Sequence, residues 1–445
     1  METRTVHPAV VRGSIRAPAS KSAMQRAIAC AMLGRGTSLI KGSPVCADAR
    51  AALRIAQRLG AEVREFGDSI EIDGSPLFGK ERIGRAEGRR TAEGPLEISC
   101  GESGLCIRMF SPIVALLDDT VRLVGEGSLL HRPMHMVETS LGLFGVPCIS
   151  NKGKPPLTIK GPLGPRQTTV DAQGSSQLIT GLLIALPLLA GDSEVKIENL
   201  VSAGYLDLTR EMCAQFGVHV EKNNSGATFF IKGGQSYRAS EVNIEGDWSG
   251  GAFLAVAAAI AGETEGVCIQ GLSPDSRQPD RAIVEALAAA GARIRYEGSN
   301  LIVQPGRLLP FRFDANNCPD IFPPLVALAS SIRGISRIRG VHRLSSKESD
   351  RASALQTMFS TLGAEIKVEG DEMLVKGGVL HGGIVSSWGD HRIAMATAVA
   401  ALAAEHEVSI EGAECVSKSW PGFFEDLASI CRPGEGPQRF QEKSR

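Results

Sequence analysis

A short motif recurs along this chain at intervals far longer than any single helix or strand. A helix-like stretch closes on Leu-Gly or a near equivalent and runs straight into a strand-like one at Leu59-Gly60-Ala61-Glu62-Val63. The same pattern returns at Phe144-Gly145-Val146, Phe216-Gly217-Val218, Ala290-Gly291-Ala292 and Leu362-Gly363-Ala364. The glycines lie 85, 72, 74 and 72 residues apart. Glycine is the residue expected at a helix C-cap, because it adopts a positive φ without steric cost. A hairpin with period-2 alternation follows, as in residues 364–368 turning at Gly370 into Met373-Leu374-Val375. Periods of this length mark repeated supersecondary units rather than a single irregular core.

A second helix precedes each of these helices. Its starts read Ser20-Lys21-Ser22, Glu102-Ser103-Gly104, Ser175-Ser176-Gln177, Asp247-Trp248-Ser249, Pro319-Asp320 and Asp390-His391-Arg392. Each leads into a run of small apolar residues, and Ser and Asp are strong N-caps, so these are expected helix N-termini. Counting both helix families gives six α/β units, the sixth truncated near Cys431. A chain of 445 residues is too long for one ordinary core. The expected class is therefore α/β (α+β), with two similar domains of three units each. Helices rich in Ala, Gly and Leu lie inside and hairpin sheets outside, an inside-out α/β barrel. The expected boundaries are 19–238 for one domain and 1–18 plus 239–431 for the other, with the seam at the polar stretch 235–241. The opening strand, residues 6–16, would cross to the second domain. The long first interval is assigned to a surface loop at 75–95, and residues 432–445 to a polar tail.

Composition excludes several function classes. Lys and Arg total 48 against 49 for Asp and Glu, so no basic surplus points to nucleic acid. The ten cysteines form no CxxC pair and suggest neither zinc nor a disulfide framework. They read as reduced thiols of a cytoplasmic protein. The N-terminal residues lack a secretory h-region, and the most apolar run, 178–190, is too short and interrupted to span a bilayer. No Walker A loop or dinucleotide fingerprint is present.

Polar residues gather at the expected helix starts, where free N–H groups and a partial positive charge make anion seats. The clusters are Lys21-Ser22 with Arg26, Arg132, Ser175-Ser176-Gln177, Lys347-Glu348-Ser349-Asp350-Arg351, Asp390-His391-Arg392 and Lys418. Each also fits a plainer reading. Ser175-Ser176 and Asp320 fit simple N-caps, and Lys347, Glu348 and Arg351 fit a solvated helical turn. His391 fits a core histidine, and Arg132 before Pro133 fits a decorated loop. Recurrence at equivalent positions favours function, since structure needs only one cap per helix. If the units pack in parallel, these ends would point at a common cleft.

Together these residues carry a resemblance. Ala19-Ser20-Lys21-Ser22 with Arg26, Ser175-Ser176-Gln177, Ser202-Ala203-Gly204-Tyr205 and Gly233-Gly234-Gln235 are similar to successive motifs of the 3-phosphoshikimate 1-carboxyvinyltransferase (EPSP synthase) family. Asp320, Lys347-Glu348-Ser349-Asp350-Arg351, Asp390-His391-Arg392 and Lys418-Ser419-Trp420-Pro421 continue the match in order. The resemblance implies a monomer of two domains, each of three βαβαββ-type units, closing around phosphoenolpyruvate and 3-phosphoshikimate, with neither a metal nor an organic cofactor. It implies that Ser175, Ser176, Ser202 and Tyr205 hold the shikimate phosphate and ring, with Lys21, Ser22, Arg26 and Gln177 bridging toward phosphoenolpyruvate. Gly104, Arg132, Arg351, Arg392 and Lys418 would bind phosphoenolpyruvate, as guanidinium forks suit carboxylate and phosphate. Asp320 would take the 5-hydroxyl proton, steadied by Lys347. Glu348 would act as acid and then base at the methylene carbon, and Lys21 would assist as a proton donor.

Two departures stand out. Glu102 and Leu105 occupy positions where the family more usually shows Asn and Thr, and the carboxylate calls for a neutralising cation such as Arg108. Gly104 is retained, which implies steric room there. Arg343 and Ser345, ahead of Lys347, also differ from the common pattern. UDP-N-acetylglucosamine 1-carboxyvinyltransferase is the alternative enzyme. That family uses a loop cysteine shortly before the equivalent of Arg132, and here none occurs between Ile107 and Pro147. A non-catalytic homologue binding phosphorylated metabolites would lack the acid or base, whereas Asp320 and Glu348 are both present.

Overall fold

The protein is seen in a computed structural model that describes residues 2–42, 45–75, 94–173 and 175–433. The chain divides into two compact units, residues 21–244 and a composite of 1–20 with 245–445. The expected surface loop at 75–95 and the polar tail fall almost wholly outside the described residues.

Among the described residues, twelve α-helices alternate between two kinds. In the 21–244 unit they pair as α1 (Lys21–Met32) with α2 (Ala47–Leu59), α3 (Gly104–Val114) with α4 (His135–Leu143), and α5 (Gln177–Ala185) with α6 (Gly204–Gln215). In the composite unit they pair as α7 (Trp248–Ala261) with α8 (Ile283–Ala289), α9 (Phe322–Ser330) with α10 (Arg351–Thr361), and α11 (His391–Ala401) with α12 (Phe423–Ile430). The first helix of each pair is buried on nearly every side, and every residue of α3, α7, α9 and α11 is buried. The second is amphipathic: α2 buries Ala49, Ala52, Leu53 and Ala56 and leaves Arg50 and Arg54 exposed.

The repeat glycines all take positive φ, at 117° for Gly60, 78° for Gly145, 81° for Gly217, 94° for Gly291 and 99° for Gly363. Each closes the second helix of its pair and aims the chain into a hairpin. In the second repeat, strands 96–99 and 120–124 run parallel, and 120–124 pairs antiparallel with the hairpin strand 154–160. The third repeat follows the same order with 167–171, 193–198 and 228–231. Side chains alternate along these strands, as in the exposed–buried pattern of 154–160, so one face covers helices and the other meets water.

The first repeat borrows its opening strand. Residues 241–243 pair parallel with 37–41, so the end of the unit completes the sheet at its beginning. Here the stretch read as a polar seam carries short strands at 237–238 and 241–243, with Tyr237 and Val242 buried. Its polar composition reflects the outward faces of edge strands. The composite unit borrows in the same way. Strand 9–16 runs parallel to 262–270, and strand 3–6 pairs antiparallel with 408–411, where the earlier repeats place a hairpin strand. No helix among the described residues is long and apolar enough to cross a membrane.

The C-cap geometry is directly testable. A Cβ on Gly291 would lie 2.5 Å from the Arg307 carbonyl oxygen and would sit at positive φ. Gly291→Ala is expected to cost about 1–3 kcal/mol in urea denaturation. Gly142→Ala, inside α4 with open space around its Cβ, should be neutral or stabilising by about 0.5–1 kcal/mol. Equal effects at the two sites would show that the cap conformation is unimportant.

Candidate active site

In the 21–244 unit the expected residues gather at the starts of α1, α3 and α5. The Lys21 ammonium, 13% exposed, lies 3.1 Å from Asp48 Oδ2 in the first turn of α2. One turn along α1, Gln25 donates to Ser103 Oγ at 2.8 Å and to the Asp48 carbonyl at 3.1 Å, tying α1 to the starts of α2 and α3. Arg26 is 2% exposed and donates to Thr209 Oγ1 (2.9 Å), the Ser22 carbonyl (2.8 Å) and Thr180 Oγ1 (3.2 Å). Its guanidinium sits 5.8 Å from the centre of the Tyr205 ring. None of these partners is a carboxylate. Burial draws its pKa down to about 10, a measure of how little negative charge surrounds it. A buried cation ringed by neutral acceptors is a seat for an anion or for oxygen-rich polar groups.

A second group lies where α3 and α5 meet. Arg108 bridges it, donating to Gln177 Oε1 at 2.8 Å and to the Pro133 carbonyl at 3.0 Å. A Cβ on Gly104 would come within 2.3 Å of Arg132 Nη1. The room kept at Gly104 is thus filled by the Arg132 guanidinium, which is buried rather than decorating a loop. Glu102 turns to the neighbouring turn, where its carboxylate accepts from the Ser128 amide (3.1 Å) and Ser128 Oγ (2.9 Å). Ser175 Oγ accepts the Gln177 amide, whereas Ser176 makes no cap bond of its own and is buried. Ser202 is buried with φ 55°, a conformation that non-glycine residues adopt mainly where surroundings hold them.

The composite unit holds a denser cluster. Asp320, in the tight turn Pro319–Ile321 ahead of α9, is 24% exposed and caps nothing. Its Oδ1 lies 3.2 Å from Lys347 Nζ and 3.0 Å from Arg351 Nη1, and its Oδ2 lies 3.1 Å from Arg392 Nη2. Arg351, 1% exposed, also grips Glu348 at 2.6 Å and Asp390 at 2.8 Å. The solvated-turn reading of this segment therefore fails: the charges face inward and join three segments of chain from two successive repeats. Asp390 caps α11 through the Arg392 amide and uses its other oxygen for Arg351. His391 is fully buried with Nδ1 3.7 Å from Asp390 Oδ1. Lys418 is buried in the turn Ala413–Lys418, which packs on α11.

Burial by itself would raise the pKa of Asp320. Arg392, Lys347 and Arg351 together outweigh that, and hold its carboxyl well below the usual carboxylate range. The same carboxylates, working against desolvation, hold Arg351 above the ordinary arginine value. Asp48, Thr180 and Thr209 were missed in the sequence, because nothing local distinguishes them from a helix start or a small core residue. Arg108 was visible only as a possible partner for Glu102.

The sequence model of EPSP synthase (3-phosphoshikimate 1-carboxyvinyltransferase) matches residues 6–427. The chain belongs to this family. Among curated relatives, the 3-phosphoshikimate 1-carboxyvinyltransferase of Aeropyrum pernix is 39% identical over 96% of this chain and 95% of its own. That of Clostridium kluyveri is 37% identical, covering 97% of both. Among solved structures, EPSP synthase from Acinetobacter baumannii superposes with a TM-score of 0.78 at 24% identity, over 97% of this chain and 98% of that one. The enolpyruvyl transferase NikO from Streptomyces tendae gives 0.74 at 18% identity, over 96% and 99%. These two likenesses show the two-domain enolpyruvyl transferase fold.

Arg351 is the hub of the carboxylate cluster, so its loss should be costly. Arg351→Met is expected to destabilise by about 3–5 kcal/mol at neutral pH, since it strands buried carboxylates. Asp320 titrates below its unfolded value, so its ionised form contributes stability that is complete above the ordinary carboxylate range and lost as pH falls through the folded value. The gap between wild type and Arg351→Met should accordingly narrow in strong acid, measured by chemical denaturation across pH. A gap independent of pH would detach Asp320 from Arg351.

Proposed function

We propose that the protein transfers the enolpyruvyl group of phosphoenolpyruvate to the 5-hydroxyl of 3-phosphoshikimate, releasing phosphate and 5-enolpyruvylshikimate 3-phosphate. The observation that carries this reading is the Asp320 cluster: a carboxylate held ionised by three cations, with a second carboxylate, Glu348, bound to one of them. Forming a bond between an alcohol and a vinyl carbon needs a proton acceptor at oxygen and a donor at the methylene carbon. A family whose curated members carry this name over nearly their full length supplies the substrate identities.

In this proposal Asp320, ionised, accepts the 5-hydroxyl proton as oxygen attacks C2 of phosphoenolpyruvate, and Glu348, entering the step as the carboxylic acid, delivers its proton to C3. The tetrahedral adduct then loses phosphate as Glu348 removes a proton from C3, restoring the double bond. A depressed pKa alone makes Asp320 a weak base. Substrate phosphate and carboxylate engaging Lys347, Arg351 and Arg392 reduce the pull of those cations on Asp320 and raise its basicity as the complex forms. Arg132 and Lys418, together with Arg351 and Arg392, are the proposed phosphoenolpyruvate ligands, Gly104 contributing by leaving room for the Arg132 guanidinium. Lys21, as ammonium, stabilises the departing phosphate or donates a proton to it.

The shikimate side is assigned to the 21–244 unit. Ser175, Ser176 and Ser202 hold the phosphate, Tyr205 and Arg26 the ring, and Ser22 and Gln177 the groups between the substrates; Asp320 and Lys347 meet the 5-hydroxyl. Arg26 supports this placement, because it is buried with hydroxyl and carbonyl partners and lacks a carboxylate. The enzyme is further proposed to act in the cytoplasm as a monomer, within aromatic amino-acid biosynthesis.

The decisive measurement is phosphate release with both substrates present, compared with either alone. Release at the single-substrate background would remove the proposal. Asp320→Ala and Glu348→Ala should each lower kcat by roughly 100- to 10,000-fold. Near-normal turnover in either would reassign that role. Arg392→Ala should chiefly raise the KM for phosphoenolpyruvate, and an unchanged KM would remove Arg392 from that substrate.

A further inference from the structure

We propose that Arg343 is a positioning residue for the reaction above, setting the loop that carries Lys347 and Glu348 against the turn that carries Asp320. The side chain is 7% exposed, and its Nη1 donates to the Asn316 carbonyl at 2.7 Å. Asn316 lies four residues before Asp320. The bond therefore joins two segments whose catalytic groups must stay in register.

The contact is reinforced on both sides. Gly340, at φ 111°, packs so closely on the same segment that a Cβ there would lie 3.1 Å from the Asn316 amide nitrogen. On the opposite flank, the Gly340 and Val341 amides donate to the Asp371 carbonyl, and His342 Nδ1 lies 2.6 Å from Asp371 Oδ1. The turn Val341–Arg343 is thus clamped between the hairpin bend at Asp371 and the segment leading to Asp320. Downstream, the Arg351 amide donates to the Leu344 carbonyl, and the Arg351 side chain meets Asp320, Glu348 and Asp390. Arg343 and Arg351 bracket the residues 344–350, so the placement of Lys347 and Glu348 is set at both ends. A guanidinium suits this task because several fixed donors stay charged at any working pH.

The test is steady-state kinetics on Arg343→Gln and Arg343→Lys, beside wild-type phosphate release, which tests the underlying reaction by itself. Arg343→Gln should lower kcat by about 10- to 100-fold, the scale expected for a displacement near 1 Å, with each KM within about twofold of wild type. Arg343→Lys should retain an intermediate rate, and it carries the same comparison if the glutamine variant does not fold. Asp320 faces Lys347, Arg351, Arg392 and Glu348. A looser Lys347 lets its pKa rise, so the acid limb of the rate profile should move to higher pH. Combined with Lys347→Met, the Arg343→Gln loss should be largely non-additive. Strictly additive losses, an unmoved acid limb, or a raised KM for 3-phosphoshikimate with unchanged kcat would each overturn the inference.

Discussion

Arg351 is the interaction on which the composite unit's chemistry depends. It lies almost fully out of water and binds Asp320, Glu348 and Asp390, one from each of three separate segments of chain. Removing an ion from water costs several kcal/mol, which is offset only when its donors are all well placed. Arg351 therefore constrains the turn before α9, the start of α10 and the start of α11 together. Lys347 and Arg392 add two further cations around Asp320, so three carboxylates stand against three cations before any substrate arrives. Incoming anions compete with Asp320 for the same donors, and that competition links binding to proton transfer.

The fold supplies this cluster through repetition. Each inner helix is buried along most of its length, so its polar first turns are where it presents charge, as Arg26 and Arg108 do one turn into α1 and α3. Asp390 shows the economy of the arrangement: one oxygen caps α11 and the other holds Arg351. The same geometry in the 21–244 unit places Lys21, Gly104 and Gln177 at the starts of α1, α3 and α5. The two units nevertheless differ in charge. One surrounds its deepest arginine with carboxylates, whereas the other leaves Arg26 among hydroxyls and carbonyls.

Much of this was legible in the sequence because it rests on local rules. Gly60, Gly145, Gly217, Gly291 and Gly363 announce their positive φ through position alone, and the small-residue runs announce buried helices. Motif order was enough to name Asp320, Glu348 and Arg392 as candidates. Their mutual contacts were not legible, since Asp320 and Arg392 stand 72 positions apart and Arg26 and Thr209 stand 183 apart. Asp48 escaped for the same reason, and Arg108 was expected only beside Glu102, whereas its partners are Gln177 and the Pro133 carbonyl. The steric room expected at Gly104 was legible, but what uses it was not: the structure places the Arg132 guanidinium there.

Borrowed strands give the two units different schedules during synthesis. The 21–244 unit has every strand it needs once residue 243 has left the ribosome, since 241–243 completes its first sheet. The composite unit must wait, because 3–6 pairs with 408–411 and 9–11 pairs with 431–433. At roughly 5–20 residues per second, the opening strands remain without these partners for about 20–80 s while the intervening chain is made. Vectorial translation thus builds the internal half first and leaves the leading segment as an unmatched edge, to be claimed by the last residues of the fold.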